Sequence, residues 1–287
     1  MGFLRILTFL SMAMYVSHAA NVAPETYWRS MLPNTPMPKG ITNLLNHEDK
    51  GTHFHVGESD ATIFGYDARK DLLFLEKDMI QGHEMNLQFA KTVTPSSNFF
   101  PRKVAEMIPF SLKNLPQLYT RFSIKPETVE SESMKTTISR CEEAGEKGEK
   151  KFCATSLEAM VDFIISKLGK KVMTISTDVK SNKVTPLQKY TFEGSKKVAT
   201  DKYIVCHKQK YPYPVYYCHR AASTRVYSVS LVGEDGTKGR AVAICHKNAS
   251  KLYPKDLVFK VLKVKPGTNA INICHFLPED HVVWVPY

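Results

Sequence analysis

From residue 172 to the end of the chain, apolar side chains recur with a period of two. Segments 172–175, 203–205, 215–217, 226–232, 241–244, 257–264, 271–273 and 282–285 therefore read as strands, since alternate residues on extended backbone face opposite sides. Gly233 to Gly236, with Glu234 and Asp235 between them, has the composition of a hairpin turn. Upstream the period lengthens. Leu157, Met160, Val161, Ile164 and Leu168 fall at i, i+3, i+4, i+7 and i+11, which lines one face of a helix over 156–168. Thr155 reads as its N-cap, with Glu158 three residues on completing a capping box. Gly169 suits the position after its last turn, and Lys170 and Lys171 follow where the dipole favours cations.

Shorter signals precede the helix. Residues 72–75 form an apolar run of buried-strand type, 86–89 alternate, and a short helix is expected after Pro101, closed by Pro109. The pattern predicts an α+β fold: a mainly antiparallel β-sandwich or barrel with a few packed helices, beginning near Asp71 and running over 71–287. Residues 20–40 read as a Pro-rich leader opening with a short amphipathic piece around Tyr27 and Trp28, and 41–70 as a variable linker by composition.

The N-terminus has the form of a secretory signal, residues 1–19. Arg5 supplies the positive region, 6–16 the apolar region, and Ser17 and Ala19 the small residues of a cleavage site. The apolar run is too short to span a bilayer, and no later segment is long enough. A protein of this kind is secreted, or reaches a vacuole through the secretory pathway. The net charge of +11 is spread along the chain without an Arg-rich stripe, which argues against nucleic acid and for weak attraction to acidic polysaccharide.

In an oxidising compartment an even count of six cysteines predicts disulfides. Cys141 and Cys153 lie close together and flank a charged loop, as a local clip would. Cys206, Cys218, Cys245 and Cys274 allow three pairings, among which spacing does not choose.

Each of those four is followed by a histidine: His207, His219, His246 and His275, at intervals of 10, 25 and 27 residues from each His to the next Cys. On strands, the thiols would face one side and the imidazoles the other. A Cys2His2 zinc site fits poorly, because C-x-x-C spacing is absent and adjacent residues diverge. Two readings stand. In one, the histidines are structural neighbours of disulfides. In the other, the four imidazoles converge on a metal, for which copper suits an all-imidazole set, with the bridges holding the ligand strands in place.

The Cys-His spacing resembles the signature of the plant BURP domain. The likeness extends to the run from Phe74 to Asp78 followed by Met85, Asn86 and Leu87, and to Phe99, Phe100, Pro101 and Arg102. It also takes in the run from Cys153 to Glu158 and the leader from Tyr27 to Pro38. One departure is the last interval of 27, read as a loop insertion near 251–255. The resemblance implies a secreted, wall-associated or storage-vacuole plant protein linked to seeds, walls or stress. It also implies a copper-dependent peptide cyclase activity, in which His207, His219, His246 and His275 hold copper and a Tyr or Trp side chain of a peptide is cross-linked oxidatively. The alternative it leaves is a non-catalytic cell-wall or seed storage-vacuole protein.

For self-modification, the segment between leader and domain offers one aromatic-bearing candidate, Ile63 to Tyr66, with Tyr66 as the reacting side chain. Asn248 opens a glycosylation sequon. Tyr211, Tyr213, Tyr216 and Tyr217 suit sheet packing or a peptide groove. His83 and His281 read as isolated structural histidines. Hydrolase signatures such as G-x-S-x-G and H-E-x-x-H are absent from the sequence.

Overall fold

The computed structural model describes residues 23–45, 73–89, 98–145, 149–180, 187–220, 224–247, 262–263 and 272–287. Its elements run α1 (Pro24–Met31), α2 (Lys39–Asn43), β1 (Leu73–Leu75), β2 (Glu84–Leu87), α3 (Arg102–Glu106), α4 (Leu115–Arg121), α5 (Val129–Glu142), β3 (Lys150–Ala154), α6 (Leu157–Leu168), β4 (Val172–Ile175), β5 (Asp178–Val179), β6 (Gln188–Ala199), β7 (Ile204–Lys208), β8 (Tyr216–Arg220), β9 (Thr224–Gly233), β10 (Lys238–His246), β11 (Ile273–Phe276) and β12 (Val282–Pro286). The fold is α+β with antiparallel sheets. One sheet has the order β1-β11-β10-β9-β6-β2, with β5 added on β10, and the other β3-β8-β7-β12-β4. None of the described helices is long and apolar enough to cross a membrane.

The period of two sorts the strand residues into layers. On β10, Val242 and Ile244 join Val205, Val283 and Val285 in an apolar layer shared by the two sheets. Their neighbours Ala241, Ala243 and Cys245 point the other way, against Phe74, Phe192 and Phe276. On β7 and β12, Ile204, Cys206 and Trp284 face α6, whose Leu157, Met160, Val161 and Ile164 are fully buried. Burying one such aliphatic side chain contributes roughly 1.5–3 kcal/mol, so α6 is held by its stripe more than by propensity.

The structure corrects the cap of α6. Ser156, not Thr155, is the N-cap, and its hydroxyl accepts from the Ala159 amide at 3.1 Å. Glu158 instead accepts from the Arg102 amide at 3.2 Å, tying α3 to α6. Gly169 ends the helix at φ 83°, a backbone state that costs a glycine little.

The folded part also begins earlier than residue 71. Trp28 of α1 packs on Trp284 with ring centroids 5.0 Å apart, and Leu32, Ile41 and Leu44 enter the same core. Trp28 Nε1 donates to the Thr35 carbonyl at 2.9 Å, and Thr35 Oγ1 donates to the Val172 carbonyl at 2.6 Å. At Gly40 a Cβ would lie 2.6 Å from the Glu279 carbonyl oxygen, so α2 sits against residues 279–280 only because that position is bare. Proline composition concealed this docking, because Pro24 starts α1 rather than interrupting it.

Two elements carried little sequence signal. Helix α5 buries Met134 and Ile138 but also Ser131 and Thr137, so its stripe is half polar. Strand β6 presents exposed Glu193, Lys196 and Lys197 and shifts register twice against β9. The strand expected at 257–264 lies almost wholly outside the described residues, as do the signal segment, Ile63, Tyr66 and Asn248. Tyr211 and Tyr213 are buried among Phe100, Phe110 and Phe122, and Tyr216 and Tyr217 are buried as well, so the four tyrosines pack the interior and line no peptide groove.

Candidate metal centre

Antiparallel pairing places Cys206 directly opposite Cys218 on β7 and β8, and Cys245 directly opposite Cys274 on β10 and β11. Both pairs are disulfides, with Cα atoms 3.9 and 4.0 Å apart, and Cys141–Cys153 is the third. The register settles the pairing that spacing left open. It also decides where the imidazoles go. With Cys206 facing Cys218, His219 faces Val205 and His207 faces Tyr217. With Cys245 facing Cys274, His275 faces Ile244 and His246 faces Ile273. In each strand pair the two histidines are therefore diagonal neighbours on the face opposite the sulfurs, with backbones about 7–8 Å apart.

Their side chains close that distance. His207 Nε2 lies 3.2 Å from His219 Nε2, and His246 Nε2 lies 3.4 Å from His275 Nε2. All four are 5–7% exposed and line one cavity of about 10 Å³, together with Tyr203, Val205, Thr224 and Ile244. That space holds one water-sized particle.

Every Nδ1 is engaged on the outer side. His219 Nδ1 is 2.9 Å from Glu149 Oε1, and His207 Nδ1 is 3.1 Å from His281 Nδ1. His246 Nδ1 is 3.2 Å from Thr224 Oγ1, and His275 Nδ1 is 3.4 Å from the Phe276 carbonyl. A carboxylate and a carbonyl only accept, so His219 and His275 carry their proton on Nδ1 when neutral. Their Nε2 lone pairs then face the cavity. Burial, and secondarily the facing histidines, hold His207 and His246 well below the usual imidazole range. Burial lowers His275 to about 4, with its backbone hydrogen bond to Phe276 opposing. These three rings are neutral at pH 7, the form that ligates metals.

The donor set fits a metal in pairs. Two nitrogens bound tetrahedrally at about 2.0–2.1 Å stand about 3.3 Å apart, the separation each pair already has. The pairs do not yet share one point: among the described residues no three His, Cys, Asp or Glu side chains are placed to touch a single ion. Each pair belongs to its own sheet, and a four-imidazole site requires rotamer adjustment across the small cavity.

Two residues went unrecognised in the sequence. His281 is not isolated. It is buried against His207, and beside it Asp280 pairs with Lys208 at 3.0 Å, both side chains nearly buried. Glu149 also accepts from Tyr217 OH at 3.1 Å, in the loop the Cys141–Cys153 clip closes. Neither residue has a Cys neighbour or a periodic signal to mark it. His83 stacks edge-on against Phe192 at 5.3 Å, a packing contact.

The architecture defines a disulfide-stapled, two-sheet protein that gathers histidines between its sheets. Residues 72–286 match the BURP domain, and the chain belongs to that plant protein family. It is 36% identical to the BURP domain protein RD22 of Arabidopsis thaliana, covering 99% of each chain. It is 39% identical to BURP domain-containing protein 5 of Oryza sativa subsp. japonica over 93% of this chain and 88% of that one. BURP domain-containing protein 17 of the same rice is 46% identical over 74% of this chain and 38% of its own length.

Proposed function

We propose that the four histidines bind copper and that the protein oxidatively cross-links a Tyr or Trp side chain of a peptide. The observation that carries this reading is directional. Four buried imidazoles turn their Nε2 atoms inward in pairs, while each Nδ1 is held from outside. Copper bound there supplies a one-electron oxidant, which bond formation at an unactivated carbon needs. The chain's own contribution is orientation and exclusion. The two cross-strand disulfides fix register, so a one-residue slip that would turn every imidazole outward is blocked. Glu149 and Thr224 fix ring orientation, and the apolar layer of Val205 and Ile244 limits water.

Joining the aromatic ring to a second residue removes one hydrogen from each partner. The two electrons and two protons pass to dioxygen, which the reading names as co-substrate. Three disulfides accord with passage through the secretory pathway, to the apoplast, wall or storage vacuole.

The test is copper titration of the purified chain, with electron paramagnetic resonance to read nitrogen coupling. His219→Ala is expected to lower affinity at least about tenfold with all disulfides intact. Stoichiometric copper that survives replacement of all four histidines overturns the site. Mass spectrometry with copper and oxygen then looks for loss of two hydrogens in supplied Tyr- or Trp-bearing peptides and in the chain's own segment containing Tyr66. Copper binding without any such loss returns the protein to a non-catalytic wall or storage role.

A further inference from the structure

Tyr203 lines the imidazole cavity and also a second cleft of about 230 Å³. Four residues of that cleft are cationic, Lys150, Lys167, Lys202 and Arg220, and no carboxylate stands among its lining. None of the four makes an ion pair with another described residue. Lys167 has a structural explanation in the last turn of α6, where the helix dipole favours a cation. The others have none. Lys150 and Arg220 face each other directly across the β3–β8 ladder, a position where like charges repel. A fold that concentrates unneutralised cations around a concave surface stores repulsion that an anion relieves.

The cleft is also coupled to the histidines. The Tyr203 hydroxyl is hydrogen-bonded to Thr224, whose Oγ1 stands 3.2 Å from His246 Nδ1. Leu168, half-buried, and Ile204, buried, also line the cleft. An apolar side chain of a peptide covers the exposed part of Leu168, which a sugar chain hydroxylated along its length covers less well.

We propose that this cleft seats a carboxylate-rich segment of a peptide and so brings an adjoining aromatic residue towards the imidazole cavity. The binding stands on the cleft alone; the delivery role rests on the oxidative reading of the histidines.

Fluorescence anisotropy tests it on the full chain stripped with EDTA. The probe is a fluorescein-labelled hexapeptide with four acidic residues and one Tyr, against the same peptide with its carboxylates amidated. The acidic peptide is expected to bind and the amidated one not. Lys150→Gln with Lys202→Glu, both at exposed positions, is expected to weaken binding about tenfold or more, leaving copper titration unchanged and thermal melting no lower. Equal binding of both peptides, or wild-type affinity in the double variant, overturns the proposal. So does trigalacturonate displacing the probe at lower concentration than unlabelled peptide. Peptide binding in a protein that takes no copper supports the cleft and counts only against the oxidising site.

Discussion

The β7–β8 pair and the β10–β11 pair build the same device from the same dipeptide, and their surroundings make them unequal. Each has a directly opposed disulfide on one face and diagonal imidazoles on the other. The β7–β8 histidines are steadied by an ionisable carboxylate, Glu149, and a fifth imidazole, His281. The β10–β11 histidines are steadied by a hydroxyl and a backbone carbonyl. Backbone register repeats the geometry, and tertiary neighbours set the electronics.

Acid should expose the inequality most strongly. His207, His246 and His275 have folded-state pKa values below the ordinary 6.5, so the unfolded chain takes up the proton first as pH falls. Their stabilising effect is present above about pH 6.5 and is lost as pH falls below it, down to about 4 for His275, at on the order of 1 kcal/mol per pH unit for each ring. The urea midpoint of metal-free protein should drop between pH 7.5 and 4.5. Because two of these rings sit on β10–β11, His246→Asn with His275→Asn should flatten that drop more than His207→Asn alone. An equal slope in the two variants would contradict the comparison.

Removing the disulfides comes next. The Cys206–Cys218 bridge closes a separation of 12 residues and Cys245–Cys274 one of 29. Alanine pairs should cost about 3 and about 3.5 kcal/mol respectively in denaturant unfolding. Both should reduce copper uptake by releasing register, a loss that a purely structural histidine set would not produce.

The outer partners give a smaller contrast. Glu149→Gln should weaken copper binding about tenfold, and Thr224→Val about threefold, since a carboxylate raises ligand basicity more than a hydroxyl does. The last contrast concerns stability rather than copper, in a strap on the larger sheet. Glu76 accepts from Arg225 at 2.6 and 2.7 Å, and from Tyr227 and Asn272 at 2.5 Å each. Although burial opposes it, these donors hold its carboxyl below the usual range. Glu76→Gln should destabilise the chain by about 1–2 kcal/mol in thermal unfolding, without altering copper affinity.

Strands whose periodicity is clean were legible, and so was α6, because each buries one face against a layer that extends beyond it. Strand β4 was found at its observed limits, residues 172–175. Helix α5 was not legible, because it buries Ser131 and Thr137 beside Met134 and Ile138. In the leader, the short amphipathic piece around Tyr27 and Trp28 corresponds to α1, but its docking was not legible, because Trp28 finds Trp284 across 256 positions of sequence. At the site, the four Cys-neighbouring histidines were legible and His281 and Glu149 were not. A residue recruited by a neighbouring strand or loop leaves no mark in its own vicinity.

Alternation along the chain by itself determined that sulfur and imidazole part to opposite faces, since extended backbone permits nothing else. It also determined the α+β class and, through the Cys-His spacing, the family. Which cysteine meets which was decided only by strand pairing, as was the inward aim of the Nε2 atoms and the basic cleft beside Tyr203. Those features depend on residues far apart in sequence being held at fixed register, and register belongs to the assembled sheet.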